Sequence, residues 1–222
     1  MQQKFIHRAN NAKLILFFAG WGADEHLFPY PPLQGYDFML CFDYTNTNFD
    51  FELIKSYQSI RLIGWSMGVW VASILFENYS LPWEKRVAIN GTMYPKHDLW
   101  GIPVAVFEGT LKGFSPTTLA KFRRRMCGTT SGVKEFLSCN PYRPLENLQQ
   151  ELQILNDRIE QTTTVSKFIW DQAIVGTKDL IFPVANQRLA WSDALPNPVP
   201  ILEFDVAHYD KILFENQISR FE

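Results

Sequence analysis

Ser66 sits in Gly64-Trp65-Ser66-Met67-Gly68, where an apolar run ends and a second apolar stretch begins at once. A serine hydroxyl in such a strand-to-helix turn is raised above a sheet edge, and the flanking glycines suit a sharp bend and close packing. The pattern alone also occurs in ordinary loops, so the partners decide its meaning. The hydroxyl needs a base to take its proton, and that base needs a carboxylate to fix its tautomer and stabilise the resulting imidazolium.

Four histidines compete for the base. His7 falls in the first strand, His26 just beyond a glycine-rich turn, and His97 in a stretch entering a helical block, all places where packing or surface roles are common. His208 differs because it follows the last expected strand, in Asp205-Val206-Ala207-His208, at the carboxyl edge where open sheets gather ligands. The preceding strand delivers Asp179 to the same edge, with room for a helix and a strand between the two. Asp43, Asp205 and Asp210 are the competing carboxylates. Asp43 suits a turn, while Asp205 and Asp210 stand too near His208 in the chain to reach its outer ring nitrogen. Acyl chemistry also needs two donors for a developing oxyanion. The backbone amides of Met67 and of Trp21, in Ala19-Gly20-Trp21-Gly22, are placed for that role.

The elements that must position these groups follow an alternating pattern. Strands are expected over residues 4–8 and 13–19, joined at Asn10-Asn11, then over 36–42, 60–63, 85–90, 169–176 and 199–204. Helices are expected over 49–57, 67–79, 183–191 and 209–221. The helix after Ser66 is apolar nearly all round, which marks it as buried. Between residues 95 and 165 the alternation stops, and segments 103–110, 116–126, 132–139 and 145–161 read as helices. Such a block is expected to be a cap inserted over the active edge of a single α/β domain spanning residues 1–222. The sheet is expected to be mainly parallel and twisted, with right-handed crossovers and helices on both faces.

Composition bounds the rest. The 222 residues carry a formal net charge of −2 and 46% hydrophobic residues, which is ordinary globular balance with no global field for nucleic acid or membrane. Three cysteines without a C-x-x-C spacing argue against a disulfide framework or a zinc site. No apolar run approaches a membrane span and the start lacks a signal-peptide pattern, so a cytoplasmic protein is expected. Neither cofactor nor metal is called for.

With G-W-S-M-G, A-G-W-G, V-G-T-K-D-L-I-F-P and D-V-A-H-Y-D in that order, the chain resembles the α/β-hydrolases, whose order of nucleophile, acid and base it follows. It resembles more closely the BioG family of pimeloyl-carrier-protein methyl ester esterases, including segments I-P-V-A-V-F-E-G-T-L-K-G-F and K-F-R-R-R-M-C-G. The resemblance implies hydrolysis of the methyl ester of pimeloyl-acyl-carrier protein in biotin precursor synthesis, with Ser66, Asp179 and His208 as the catalytic groups. One departure stands out: many hydrolases open the oxyanion turn with His-Gly, where this chain has Ala19-Gly20.

Residues 110–134 hold Lys112, Lys121, Arg123, Arg124, Arg125 and Lys134 and no acid. Leu119, Phe122 and Met126 share a helix face that should turn inward, leaving Lys121, Arg124 and Arg125 largely outward. The patch is either a solvated face or, with Arg123 included, a dock for an acidic acyl carrier protein. Trp21, Trp65 and Phe114 are candidates to line an apolar channel for the acyl chain, ordinary packing being the alternative. Two other functional classes stay open: a general short-chain esterase or thioesterase, and a catalytically silent hydrolase fold that only binds.

Overall fold

The computed structural model describes residues 1–139 and 141–221. Its strands are β1 (Gln2–His7), β2 (Lys13–Phe18), β3 (Tyr36–Phe42), β4 (Ser59–Trp65), β5 (Trp83–Ile89), β6 (Gln172–Gly176) and β7 (Ile201–Phe204). They form one sheet in the order β1-β3-β2-β4-β5-β6-β7. Every pairing is parallel except that of β1, which runs antiparallel to β3. The Asn10-Asn11 connection therefore does not close a hairpin, because β3 lies between the two strands it joins. Asp37 fixes this corner: its buried Oδ1 accepts from Ala9 N, Asn11 N and Asn11 Nδ2, and its Oδ2 from the Tyr57 hydroxyl.

The buried stretches of the inner strands are mainly apolar, as they must be when both faces are covered, with Asp37 and Arg61 the charged exceptions. Neighbours in β2 show how. Phe17 and Phe18 point to opposite faces; Phe17 packs on Phe28 and Phe214, and Phe18 on Phe49 and Phe76. Phe76 ends α1 (Met67–Phe76) and Phe214 lies in α7 (Lys211–Ser219), so these two helices cover opposite faces. Edge strand β7 keeps Leu202 and Phe204 exposed.

Four helices separate β5 from β6: α2 (Val104–Lys112), α3 (Pro116–Cys127), α4 (Thr130–Ser138) and α5 (Leu145–Gln161). Ser115 and Thr129 cap α3 and α4 with side-chain acceptors, and Pro116 occupies the first turn of α3. After β6, α6 (Val184–Ser192) packs back onto the sheet. The helix expected over 49–57 is only a single 3-10 turn, Phe51–Leu53, because Phe49 and Phe51 fold down onto Phe76 instead of following a helical path. Among the described residues no helix is long and apolar enough to cross a membrane, and all three cysteines are free.

Candidate active site

All the groups of interest follow the carboxyl ends of parallel strands: the Trp21 loop after β2, Ser66 after β4, Asn90 after β5, Asp179 after β6 and His208 after β7. Parallel pairing delivers them to one edge of the sheet.

Ser66 adopts φ 57° and ψ −125°, a region that a side chain rarely enters. The sharp turn is therefore borne by the serine itself. The glycines give room: a Cβ on Gly64 would lie 2.8 Å from the Trp170 ring and 2.9 Å from Val69 Cα, and one on Gly68 only 2.1 Å from the Phe18 carbonyl oxygen. The turn thus presses α1 against β2 while keeping the Ser66 hydroxyl at the edge.

The Ser66 Oγ lies 2.9 Å from His208 Nε2, and His208 Nδ1 lies 2.8 Å from Asp179 Oδ2. All three residues are buried, at 5%, 1% and 4% exposure. Asp179 accepts on every side. Its Oδ1 takes the amides of Ile181 (2.7 Å) and Phe182 (3.0 Å), and its Oδ2 takes Gln187 Nε2 (3.0 Å) as well as the imidazole. This arrangement holds the imidazole with Nδ1 protonated and Nε2 free to accept the serine proton.

The competing carboxylates are committed elsewhere. Asp43 pairs with Arg143 at 3.0 Å, Asp205 with Lys178 at 2.7 Å on the surface, and Asp210 caps α7 through the Leu213 amide. His7 and His26 are exposed, and His97 stacks on Trp100 while accepting from the amides of Leu99 and Trp100.

A narrow cavity of about 30 Å³ opens beside Ser66, lined by Trp21, Met67, Phe107, Phe122, Leu152 and Ile181 among others. Val106 and Leu180, both exposed, also line it. The first amide of a helix has no partner within the helix, so the N–H of Met67, at the start of α1, is free of the helical ladder. The arrangement can carry out nucleophilic attack by Ser66 on an acyl carbon, with proton transfer through His208 and a mostly apolar recess beside the nucleophile.

Several expected site residues lie elsewhere. Trp65 is 1% exposed among Phe28, Tyr209 and Phe214, and its Nε1 donates to the His208 carbonyl at 2.9 Å. It supports the histidine loop from below instead of lining the cavity. Phe114 stands behind Trp21 in an edge contact at 5.8 Å. Lys121 and Arg124 are exposed as expected, but Arg123 turns inward over the Phe136 ring and beside a second cavity, where burial lowers its pKa. Arg125 is half-buried and lines the Ser66 cavity itself. The helix twist explains both departures: Arg125 follows Phe122 by three positions and Arg123 precedes Met126 by three, so each shares the flank of an inward residue.

Sequence reasoning missed Asn90. This buried residue donates through Nδ2 to the carbonyls of Ala207 (3.1 Å) and His208 (3.0 Å), and accepts from Gly176 N at 2.7 Å. It therefore ties together the two loops that carry the acid and the base. A polar side chain directly after an apolar strand, before Gly91-Thr92, was the available signal.

The sequence matches the family described as pimeloyl-ACP methyl esterase BioG over residues 1–218. The crystal structure of BioG from Haemophilus influenzae is similar at a TM-score of 0.88 and 36% identity, covering 97% of both chains. A malonyl-[acyl-carrier protein] O-methyltransferase from Bacteroides fragilis is 44% identical over 203 residues, which make up 91% of this chain. The chain spans only 41% of that longer relative. A lipase-esterase related protein from Clostridium acetobutylicum shares the α/β-hydrolase fold at a TM-score of 0.63 and 15% identity, covering 97% of this chain and 94% of that one.

Proposed function

The chain belongs to the BioG family of pimeloyl-ACP methyl esterases, and from that premise we propose that it hydrolyses the methyl ester of pimeloyl-acyl-carrier protein through an acyl-enzyme on Ser66. The observation that carries this reading is the unbroken relay from Ser66 Oγ through His208 to Asp179, at 2.9 and 2.8 Å, opening onto an apolar cavity.

In the proposed course, His208 Nε2 takes the Ser66 proton as Oγ attacks the ester carbonyl. The amides of Met67 and Trp21 receive the oxyanion. Collapse expels methoxide, which leaves as methanol with the proton from the imidazolium. Water, deprotonated by His208, then attacks the acyl-enzyme and restores Ser66, releasing a free carboxylate still linked to its carrier. The Asp179 side chain, hydrogen-bonded to His208 Nδ1, stabilises the imidazolium in both halves. The lining of Ile102, Val106, Phe107, Leu152 and Ile181 suits a methylene chain.

Residues 95–165 serve in this reading as a cap over the active edge of a single domain. Lys121, Arg124 and Lys134 are its exposed cations without an ion pair among the described residues, and they form the dock for an acidic carrier. The methyl transfer named for the longer Bacteroides fragilis protein stays with that protein. The groups around Ser66 are a nucleophile, a base and a carboxylate, which suit acyl transfer to water. A cytoplasmic setting follows from the reading, since acyl carrier proteins work there.

Complementation tests the proposal. A biotin-requiring strain that lacks only this esterase step should grow when it carries the wild-type chain and not when it carries Ser66→Ala. Failure of the wild type, or growth with the alanine variant, overturns it.

A further inference from the structure

The Ala19-Gly20-Trp21-Gly22 loop is held from outside the sheet. Trp21 Nε1 donates to the Leu148 carbonyl of α5 at 2.9 Å, and Gly22 N donates to Glu151 Oε2 at 3.2 Å one turn further along the same helix. The other oxygen of Glu151 takes the amide of Tyr44 at 2.7 Å, and the Tyr44 hydroxyl donates to the Ala19 carbonyl at 2.7 Å. One carboxylate thus fastens the loop after β2 to the loop after β3. Arg143 completes the unit, donating to Glu151 Oε2 at 2.7 Å, to the Ala23 carbonyl at 3.3 Å and to Asp43 at 3.0 Å.

Glu151 is 0% exposed, and burial raises its pKa against the pull of Arg143 and the two amides. A fully buried acid is costly unless something specific uses it. Here two backbone donors from separate loops point at it.

The local geometry connects this clamp to the chemistry. In a trans peptide the N–H of Trp21 points opposite to the carbonyl of Gly20. That carbonyl accepts from Ala23 N at 3.2 Å, closing a turn whose later half is gripped by Glu151 at Gly22 and by Arg143 at Ala23. The direction of the Trp21 amide is therefore set by the turn, and the turn by α5.

We infer that Glu151 and Arg143 are positioning residues that aim the Trp21 amide at the oxyanion, so that helix α5 is part of the catalytic apparatus as well as cover for the cavity. The inference rests on the esterase reading above, which supplies the oxyanion.

The test compares wild type, Glu151→Gln and Arg143→Lys on a small ester and with a trifluoromethyl ketone, whose adduct on a serine places an oxyanion where the tetrahedral intermediate has one. In Glu151→Gln one acceptor becomes an NH₂ facing a backbone N–H. A misplaced donor should lower kcat by about 10- to 100-fold and leave KM within about twofold. Ketone affinity should weaken by the same factor as kcat. Arg143→Lys, which retains the charge and loses the fork, should show the same coupled losses at about 5- to 10-fold.

If Glu151→Gln does not fold, Arg143→Lys decides. Folded variants with kcat and ketone affinity within about twofold of wild type overturn the inference, as does a loss confined to melting temperature. A wild-type chain that neither hydrolyses the ester nor binds the ketone overturns the esterase reading itself, and this inference with it.

Discussion

Replacing Asp179 by asparagine removes one charge and almost no volume, and the donors around the carboxylate dictate how the new amide must sit. Oδ1 accepts two backbone amides, so the retained oxygen of an asparagine belongs there. Its NH₂ must then occupy the Oδ2 position, where Gln187 Nε2 and His208 Nδ1 both approach, at 3.0 and 2.8 Å. An NH₂ donates to Nδ1 and moves the ring proton to Nε2, the nitrogen that has to accept from Ser66. The same error of tautomer costs about 10⁴-fold in turnover in serine proteases, or ~5.5 kcal/mol of barrier. Stability should suffer far less. One opposed donor pair costs about 2 kcal/mol, or roughly 5 °C for a chain of this length. The assay is steady-state hydrolysis of a small ester beside a melting curve. A folded variant with turnover within about tenfold of wild type refutes the relay, because His208 would then take its tautomer from something other than Asp179.

Three further outcomes are expected from other parts of the structure. Gly68→Ala sets a methyl group 2.1 Å from the Phe18 carbonyl oxygen, so α1 must lift from β2; a loss of about 3 kcal/mol is expected by denaturant melting, together with loss of turnover. Burial pushes the Asp37 carboxyl up, but hydrogen bonds from Ala9, Tyr57 and Asn11 outweigh it and hold the group below its ordinary value. Its stabilisation is therefore present above the unfolded value of about 3.9 and lost as pH falls through the folded one, so Asp37→Asn should flatten the acid limb of melting temperature against pH, and parallel limbs would contradict this. Reversing charge at Lys121 and Arg124 should lower kcat/KM for a carrier-linked ester by about tenfold or more at low salt and spare a small ester. Equal loss on both substrates would count against docking.

The relay was legible because its members stand at discontinuities: Ser66, Asp179 and His208 each lie just past a strand, on the edge to which parallel strands converge. Strand β3 and helix α5 fall where their patterns predict them. Pairing was less legible than position. Strand β1 reads Gln-Gln-Lys-Phe-Ile-His, and nothing in that pattern states whether β2 or β3 will be its neighbour. Arg123 and Arg125 carry charge, which favours a surface reading, yet both adjoin inward positions of the helix and are half-buried. Glu151 was legible in principle, since Leu148, Leu152 and Leu155 mark the buried face of α5 and position 151 lies on it. Asn90 acts by tying loops together over long separations, and its meaning exists only once the loops have met.

In the proposed reaction Ser66 releases a carboxylate from a carrier-bound methyl ester. Incubating purified chain with the methyl ester of pimeloyl-acyl-carrier protein and weighing the intact carrier by mass spectrometry tests it directly. The carrier should lose the mass of one methylene, methanol should appear in equal amount, and Ser66→Ala should leave the ester whole. Loss of the entire acyl group from the carrier, or demethylation that persists in Ser66→Ala, would contradict the proposed reaction.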